Sequence, residues 1–504
     1  MSSRVHTDAV YWVSRAVGFM VDSVPHAIWP PGGGVFPRRI VVKRLALIGG
    51  IVLAAAASVG PVLAYDVCTP TVNIVYYGAT APNPTINQTA LNLYGTPLST
   101  CSTDIKTYQA LRDLNGDGTK ETCVRMFVAS SLGSCEGDEA LDRKENNFNV
   151  CSPVVGSTTQ VLASSINDEL GSPLYCNFAG SDVGVNECTP VIQGCTLTRP
   201  AIFTDTESRP FVSPFVAIVN NSIRNYLREG EGKETLSAAQ CPYGANKCVD
   251  LKFGLSQFSG KSLWGNDTLC DWRDVSPMVH SATGVAIQSL MRNAKSGTRR
   301  NFNVTYLQNL NAAPGNWYTT GSGNMVTRIQ NNQGCINPPS PVPSGEGCGE
   351  TQTATCGVFT YGAGIDNCRS VSLTNYASVG YIGVDRLTIS DHGTPANPFD
   401  DVPIRNTDSA NYDVLRFDGI DFNKANAECG FYEYWSVERL YYDNEYHAPG
   451  TFREKAIQEF ITGTGTAAST DPAVIAASQM FVSRAQDGEP IYPLGPHNSF
   501  CTIP

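Results

Sequence analysis

The chain has 504 residues, 42% of them apolar and 16% charged, with a net charge of −11. That is long enough for two or three lobes with real cores, and too apolar for a disordered chain. The acidic balance excludes nucleic acid and anionic membrane as partners of the general surface, and a small anion can bind only in a cleft whose local field opposes the global one.

Arg38, Arg39, Lys43 and Arg44 precede an apolar run from Leu45 to Leu63. The run ends Val62-Leu63-Ala64, the small-residue pattern of a cleavage site, so residues 1–64 read as leader and signal peptide and Tyr65 as the start of the exported chain. Residues 1–37 do not resemble a signal peptide, and translation is expected to begin at Val41 or Val42. An uncleaved anchor is the competing reading, weakened by the Gly and Pro in a run near the lower limit for spanning. All 17 Cys lie beyond Ala64, as an oxidising compartment would favour. The close spacing of Cys176, Cys188 and Cys195, of Cys241 and Cys248, and of Cys348, Cys356 and Cys368 predicts mostly local disulfides. The odd count leaves at least one thiol free or bonded to another molecule. No C-x-x-C occurs, which argues against zinc ribbons and attached haem.

Taken in chain order, residues 65–215 alternate short β-like runs, such as Val72–Tyr77 and Val124–Val128, with Gly/Pro/Asn turns. Asp113, Asn115, Asp117 and Glu121 fall at the first, third, fifth and ninth positions of a loop, with oxygen donors of the kind Ca2+ takes. Val124 at the twelfth position excludes an EF-hand, and a hairpin turn accounts for the same residues. Phe211–Val219 reads as a buried strand. Residues 220–330 mix helices with short strands and contain Arg292-Asn293-Ala294-Lys295-Ser296-Gly297-Thr298. Phe302, Tyr306 and Leu310 then recur every four residues with Leu307 beside them, which predicts an amphipathic helix. Ser296 or Thr298 would cap it, and Gly297 would let a ligand approach the backbone. Free N–H groups, two hydroxyls and a guanidinium suit a small tetrahedral anion, although a cap beside a surface Arg explains the same string. Residues 335–370, rich in Pro, Ser and Gly with four cysteines, read as a stapled surface insertion. Gly380–Val384 is a short strand, Phe431–Trp435 with Tyr441 and Tyr442 a buried aromatic strand near a hinge, and Phe452, Ala456, Ile457, Phe460 and Ile461 mark a C-terminal amphipathic helix. Alternating strands and helices favour an α/β architecture. His280, His392, His447 and His497 stand alone, and no G-x-S-x-G elbow or Walker loop occurs. No enzyme and no required cofactor is expected.

Four segments, in order, resemble the periplasmic phosphate-binding proteins of ABC phosphate importers, a family of two-lobed type II solute-binding proteins. Tyr77-Gly78-Ala79-Thr80-Ala81-Pro82-Asn83-Pro84 is similar to the family's Gly-Ala-Thr-x-Pro loop. Gly156-Ser157-Thr158-Thr159-Gln160-Val161 takes the place of its Gly-Ser-Ser-Gly-Gly-Val. Phe178-Ala179-Gly180-Ser181-Asp182 resembles its Gly-Ala-Ser-Asp, and Arg292–Thr298 its Arg-x-x-x-Ser-Gly-Thr. Asp271-Trp272 and Gly380-Tyr381-Ile382-Gly383 are weaker echoes. The matches span about residues 74–465.

The resemblance implies a phosphate site of Thr80, Ala81, Ser157, Ser181, Asp182, Arg292, Ser296, Gly297 and Thr298. Asp182 would accept the proton of hydrogen phosphate, which sulfate lacks. Leaving two anionic oxygens face to face costs roughly 1–3 kcal/mol or more, so Asp182 is the expected selectivity residue. Departures from the family include Ala294, where an acidic residue usually steadies the guanidinium, and Lys295, where Gly is usual. Thr159 and Gln160 also replace glycines. The implied fold has two hinged lobes, 65–212 with 433–504 and 213–432. The implied function is capture of inorganic phosphate, as an exported monomer, for delivery to a membrane ABC permease. The alternatives are another oxyanion on the same fold, an exported phosphatase, and an extracellular structural or adhesive protein with a vestigial cleft.

Overall fold

The run Val72-Asn73-Ile74-Val75-Tyr76-Tyr77-Gly78 is apolar on both faces, the pattern of a strand covered on both sides. It forms strand β1 (Val72–Gly78), deep in a large mixed sheet. A computed structural model describes residues 68–130, 133–223, 254–255, 263–264, 270–275, 283–310, 315–353, 355–362, 375–387, 389–390, 402–403, 411–417, 420, 422–444, 450–494 and 501. The leader and signal-peptide region, Cys241, Cys248, Cys368 and the four histidines discussed above lie outside them. Residues Ala64–Pro504 form one compact unit.

The protein is α/β. On one side β1 pairs in parallel with β3 (Thr122–Ser130) and with β4 (Phe178–Ser181), and β2 (Lys106–Arg112) runs antiparallel to β3. On the other side β6 (Val285–Arg292) pairs in parallel with β7 (Trp317–Thr319) and β10 (Asn375–Gly383). Two long strands join the sides: β5 (Ser208–Asn220) and β11 (Trp435–Tyr442), antiparallel to each other. Strand β5 also pairs with β10, and β11 with β4, so the hydrogen-bonded order runs β7-β6-β10-β5-β11-β4-β1-β3-β2. The aromatic strand expected at Phe431–Trp435 begins only at Trp435, and β11 from there to Tyr442 is a central joining strand. Helix α1 (Asn83–Tyr94) follows β1, α2 (Ser134–Arg143) follows β3, α3 (Gly297–Phe302) follows β6, and α4 (Ser322–Gln330) follows β7. Helix α5 (Phe452–Thr470) packs on α1 and buries Ala456, Ile457, Phe460 and Ile461, the stripe read from the sequence. Among the described residues no helix is long and apolar enough to cross a membrane.

One core gathers under β5, β6 and β10, around Phe215, Trp264, Phe302, Tyr306, Tyr381 and Tyr434. Two others flank β1, one holding Ile74, Tyr76, Met126 and Phe460 and the other Val75, Phe127, Leu141 and Tyr441. Segment 335–370 is not a surface appendage. Its strands β8 (Gly347–Gln352) and β9 (Phe359–Gly362) form a hairpin that extends the sheet beyond β7. From β8, Glu350 makes two 2.6 Å bonds to Arg299, and both side chains are buried.

The expectation of local disulfides is also corrected. Among the described residues, the bridges Cys68–Cys123, Cys101–Cys151, Cys135–Cys188 and Cys429–Cys501 close separations of 50 to 72 residues, Cys195–Cys356 closes 161, and Cys335–Cys348, at 13, is local. Neighbouring strands of this sheet are distant in sequence, so cysteines beside them meet across long loops. Cys176 is a buried free thiol.

Removing one partner of a buried ion pair leaves a desolvated charge and costs about 3–5 kcal/mol. Glu350→Ala should therefore lower the denaturation midpoint by an amount of that order, while Glu350→Gln, which keeps hydrogen bonds to Arg299, should cost less. Equal stability of Glu350→Ala and wild type in urea titration would contradict the role given to the hairpin.

Candidate functional site

Strands β1, β3 and β4 are mutually parallel in one half of the sheet, as are β6, β7 and β10 in the other. In sheets of this kind ligands gather at the carboxyl ends of the strands, where helices begin. The residues that meet here come from those ends: Ala81 after β1, Ser134 after β3, Asp182 after β4, Arg292 to Thr298 at and after β6, Ser322 after β7, and Asp385 after β10.

Strands β4 and β6 stand four places apart, and a flat sheet would hold them roughly 19 Å from each other. Their ends nonetheless touch. Thr298 donates its hydroxyl to Asp182 Oδ2 at 3.2 Å, and the Cys135 N–H donates to the Lys295 carbonyl at 3.1 Å. The closest approach is at Gly297, where a Cβ would lie 2.1 Å from both Asp182 Oδ1 and Ser134 Oγ. Only glycine fits, so Gly297 is required by a carboxylate and a hydroxyl from the other half of the sheet. Ser296 caps α3 by accepting from the Arg299 N–H at 3.3 Å. Of the two caps allowed by the sequence, this is the one used.

Asp182 is fully buried, and its Oδ1 has no hydrogen-bond partner. Its N–H donates to Ser134 Oγ at 3.4 Å. Burial pushes its carboxyl up to about 6, against the pull of its own backbone hydrogen bond, Arg292 and Thr298. Arg292 is equally buried. Its Nη1 donates to Ser322 Oγ at 2.6 Å and its Nη2 to the Thr320 carbonyl at 3.4 Å, and its Nε has no partner. Burial lowers its pKa, with Tyr381, Asp182 and Asp385 opposing. The carboxylate usual two residues after this Arg is replaced by Ala294, whose N–H donates to the Tyr361 hydroxyl at 2.9 Å. A serine and a carbonyl hold the guanidinium instead. Asp385 is also buried without a hydrogen bond to either oxygen, although Arg386 lies 3.0 Å away, and burial pushes its carboxyl up to about 7.

Several expected ligands are placed elsewhere. Ser157 is not with Asp182. It sits in the turn of the Asn149–Cys151/Gln160–Leu162 hairpin, where its carbonyl accepts from the Thr100 N–H at 3.2 Å and its hydroxyl from the Thr159 N–H at 3.1 Å. Ser134 occupies the place assigned to it. Gly133-Ser134 follows a strand and opens a helix, whereas Gly156-Ser157 joins two antiparallel strands, and that context could have told them apart. The Ser181 hydroxyl is engaged internally, 2.8 Å from the Val183 carbonyl and 3.2 Å from Asp138 Oδ2. Lys295 is turned away to Glu139, at 2.8 Å. Thr80 and Ala81 lie at the carboxyl end of β1, and Ala81 packs toward Gly383. Ser322 and Asp385 carry no local sign in the sequence, because each joins the site only through the order of the strands.

The loop Asp113–Glu121 is the hairpin turn between β2 and β3. Asp113 accepts from the N–H groups of Gly116 and Gly118, each at 2.8 Å, Asp117 from Thr119 at 2.7 Å, and Asn115 Nδ2 donates to Asp117 and Glu121. These side chains order their own turn. Among the described residues no group of three or more His, Cys, Asp or Glu is placed to hold a metal ion.

The two halves are also strapped together beside the site. Cys195, near the carboxyl end of β4, is bonded to Cys356 in the β8–β9 turn. Ala294 and Phe359 pack there against Val183, Val191 and Ile192.

No family model matches the sequence, and no curated protein does. Solved structures of other proteins are similar at low level. One is a phosphate-bound substrate-binding protein assigned to a phosphate ABC transporter of Clostridium perfringens, with 10% identity over 80% of this chain and 99% of that one and a TM-score of 0.37. An ABC-type phosphate transport receptor from Vibrio cholerae has 11% identity over 77% and 93%, with a TM-score of 0.35. PstS from Borrelia burgdorferi has 11% over 80% and 98%, with a TM-score of 0.32. The site is therefore interpreted from its own geometry.

A carboxyl whose folded pKa exceeds its unfolded value of 3.8 favours the folded state when protonated, and that contribution is lost as pH rises through the folded value. For Asp182 this amounts to about 3 kcal/mol. The ligand-free protein should melt at a higher temperature near about pH 5 than near about pH 8, and Asp182→Asn should reduce the difference, leaving the part that Asp385 contributes. A wild-type melting temperature that rises over this interval would contradict the assignment.

Proposed function

We propose that the protein is an exported solute-binding protein that captures inorganic phosphate between two lobes and hands it to a membrane ABC permease. The lobes would be residues 65–212 with 433–504 and residues 213–432, hinged at β5 and β11. The observation that carries the reading is the pairing of two buried, incompletely used groups, Asp182 Oδ1 and Arg292 Nε, at strand ends contributed by opposite halves of the sheet. An ionised carboxylate can only accept, and a guanidinium can only donate. A ligand satisfying both must bear a proton and a negative charge, as hydrogen phosphate does. Ser134, Thr298, Gly297 and the start of α1 supply further polar groups around the same point. Binding and closure account for the site without a bond being made or broken.

A second reading is favoured by the Cys195–Cys356 strap, which ties the halves covalently. A cleft so tied would exchange its ligand slowly, as suits an extracellular protein that retains an oxyanion better than one that cycles with a permease.

Titration calorimetry with phosphate, sulfate, arsenate and molybdate separates these. Phosphate should bind at least about a hundredfold more tightly than sulfate, and Asp182→Asn should erase most of that preference. Equal affinities in wild type would end the phosphate reading. Replacing both Cys195 and Cys356 with Ser should speed phosphate dissociation at least about tenfold if the strap limits opening. Unchanged rates would return the argument to a freely hinged receptor.

A further inference from the structure

Glu438, on joining strand β11, has no role in the site as described so far. It is 0% exposed, and neither carboxylate oxygen has a hydrogen-bond partner. Arg439 pairs with Ser181 in the β11–β4 ladder, and one further step in that register sets Glu438 opposite Asp182. The Tyr76 hydroxyl, from β1, lies against the same spot. A Cβ on Gly180 would be 2.2 Å from it, and it too is buried without a partner.

The charges around Glu438 are mostly of its own sign. Asp182 faces it from the loop after β4, Asp138 from α2 and Asp487 from the C-terminal segment. Tyr76 and the Cys176 thiol are the neutral titratable groups near this cluster. The one cation, Arg439, is engaged by Asp487 at 2.8 Å and by the Val437 carbonyl at 2.9 Å. An ionised carboxylate buried among carboxylates is too costly to persist unpaired. Burial, Asp182, Asp138 and Asp487 all raise the Glu438 pKa, and only Arg439 opposes them. A proton must therefore reside at this point whenever the site is closed.

We infer that Glu438, helped by the Tyr76 hydroxyl, is a second specificity-determining residue of the oxyanion site and shares that proton with a ligand oxygen. This rests on the oxyanion reading above. Asp182 accepts one ligand proton, and a second is held between Glu438 and a neighbouring ligand oxygen, with Tyr76 donating to the anion. Hydrogen phosphate with a protonated Glu438 and dihydrogen phosphate with an ionised Glu438 are then the same complex, and it contains one proton more than hydrogen phosphate with Asp182 alone.

The test is calorimetric titration of the exported chain with inorganic phosphate from about pH 6 to about pH 10. Once phosphate has lost its second proton and free Glu438 is ionised, wild-type affinity should fall about tenfold per pH unit. Glu438→Gln, which cannot ionise, should bind with an affinity flat over the alkaline interval. Tyr76→Phe should keep the wild-type slope with weaker binding throughout. Identical slopes in wild type and Glu438→Gln would overturn the inference while leaving the phosphate reading intact. Should Glu438→Gln not fold, the wild-type profile decides: a flat alkaline limb overturns the inference, and a one-proton slope kept in Tyr76→Phe supports it. Absence of phosphate binding by wild type would overturn both readings.

Discussion

Backbone meeting carboxylate at Gly297 is the contact on which the rest of the site depends. The α-carbon of Gly297 rests against Asp182 and Ser134, groups that belong to strand ends in the other half of the sheet. That approach excludes a side chain and carries Thr298 onto Asp182. It also helps to hide the carboxylate from water, and its raised pKa follows from that burial. Were the two halves even a few ångströms apart, Asp182 would be a solvated carboxylate with no cause for a raised pKa.

The scaffold behind this contact is aromatic and stiff. Phe302 stacks on Tyr381 at 4.2 Å and on Tyr306 at 4.7 Å, and Trp264 meets Phe302 edge-on at 4.9 Å. The same stripe that makes the helical segment after Gly297 amphipathic thus fixes it behind Arg292, whose N–H donates to the Tyr381 hydroxyl. Arg299, one turn into the helix, is held by Glu350 and in turn donates to the Arg292 carbonyl at 3.3 Å. Two other buried cations each have their own carboxylate, Arg299 with Glu350 and Arg439 with Asp487. Arg292 is held by neutral groups, so its charge remains available where water is excluded and electrostatic effects are strongest.

What could be read from the sequence followed distance along the chain. The helical spacing after Gly297, the buried run 211–219 and the C-terminal stripe are local patterns, and each appears as an element, whereas the aromatic strand read at 431–435 starts only at Trp435. Asp182 and Arg292 could be singled out because their neighbours in sequence are also their neighbours in the site. Ser157 misled because a Gly-Ser pair carries no record of whether a helix or a strand follows, and here a strand does. Ser134 was legible only with the strand before it and the helix after it taken together. Glu438 and Tyr76 gave no local sign at all, since their interest comes from the register of β11 on β4 and of β4 on β1. The disulfides failed for the same reason: spacing along the chain says little about a sheet whose adjacent strands are dozens of residues apart.

The strap at Cys195–Cys356 sharpens what closure can mean. A hinge at two joining strands leaves the far rim free to swing, because nothing but ligand need hold it. Here the two halves of the sheet are joined by a covalent bond, an ion pair between Lys295 and Glu139, and an apolar patch of Ala294 and Phe359 against Val183, Val191 and Ile192. The noncovalent contacts alone could open and reclose, but the bond keeps Cys195 and Cys356 within 5.5 Å between α-carbons in any opening.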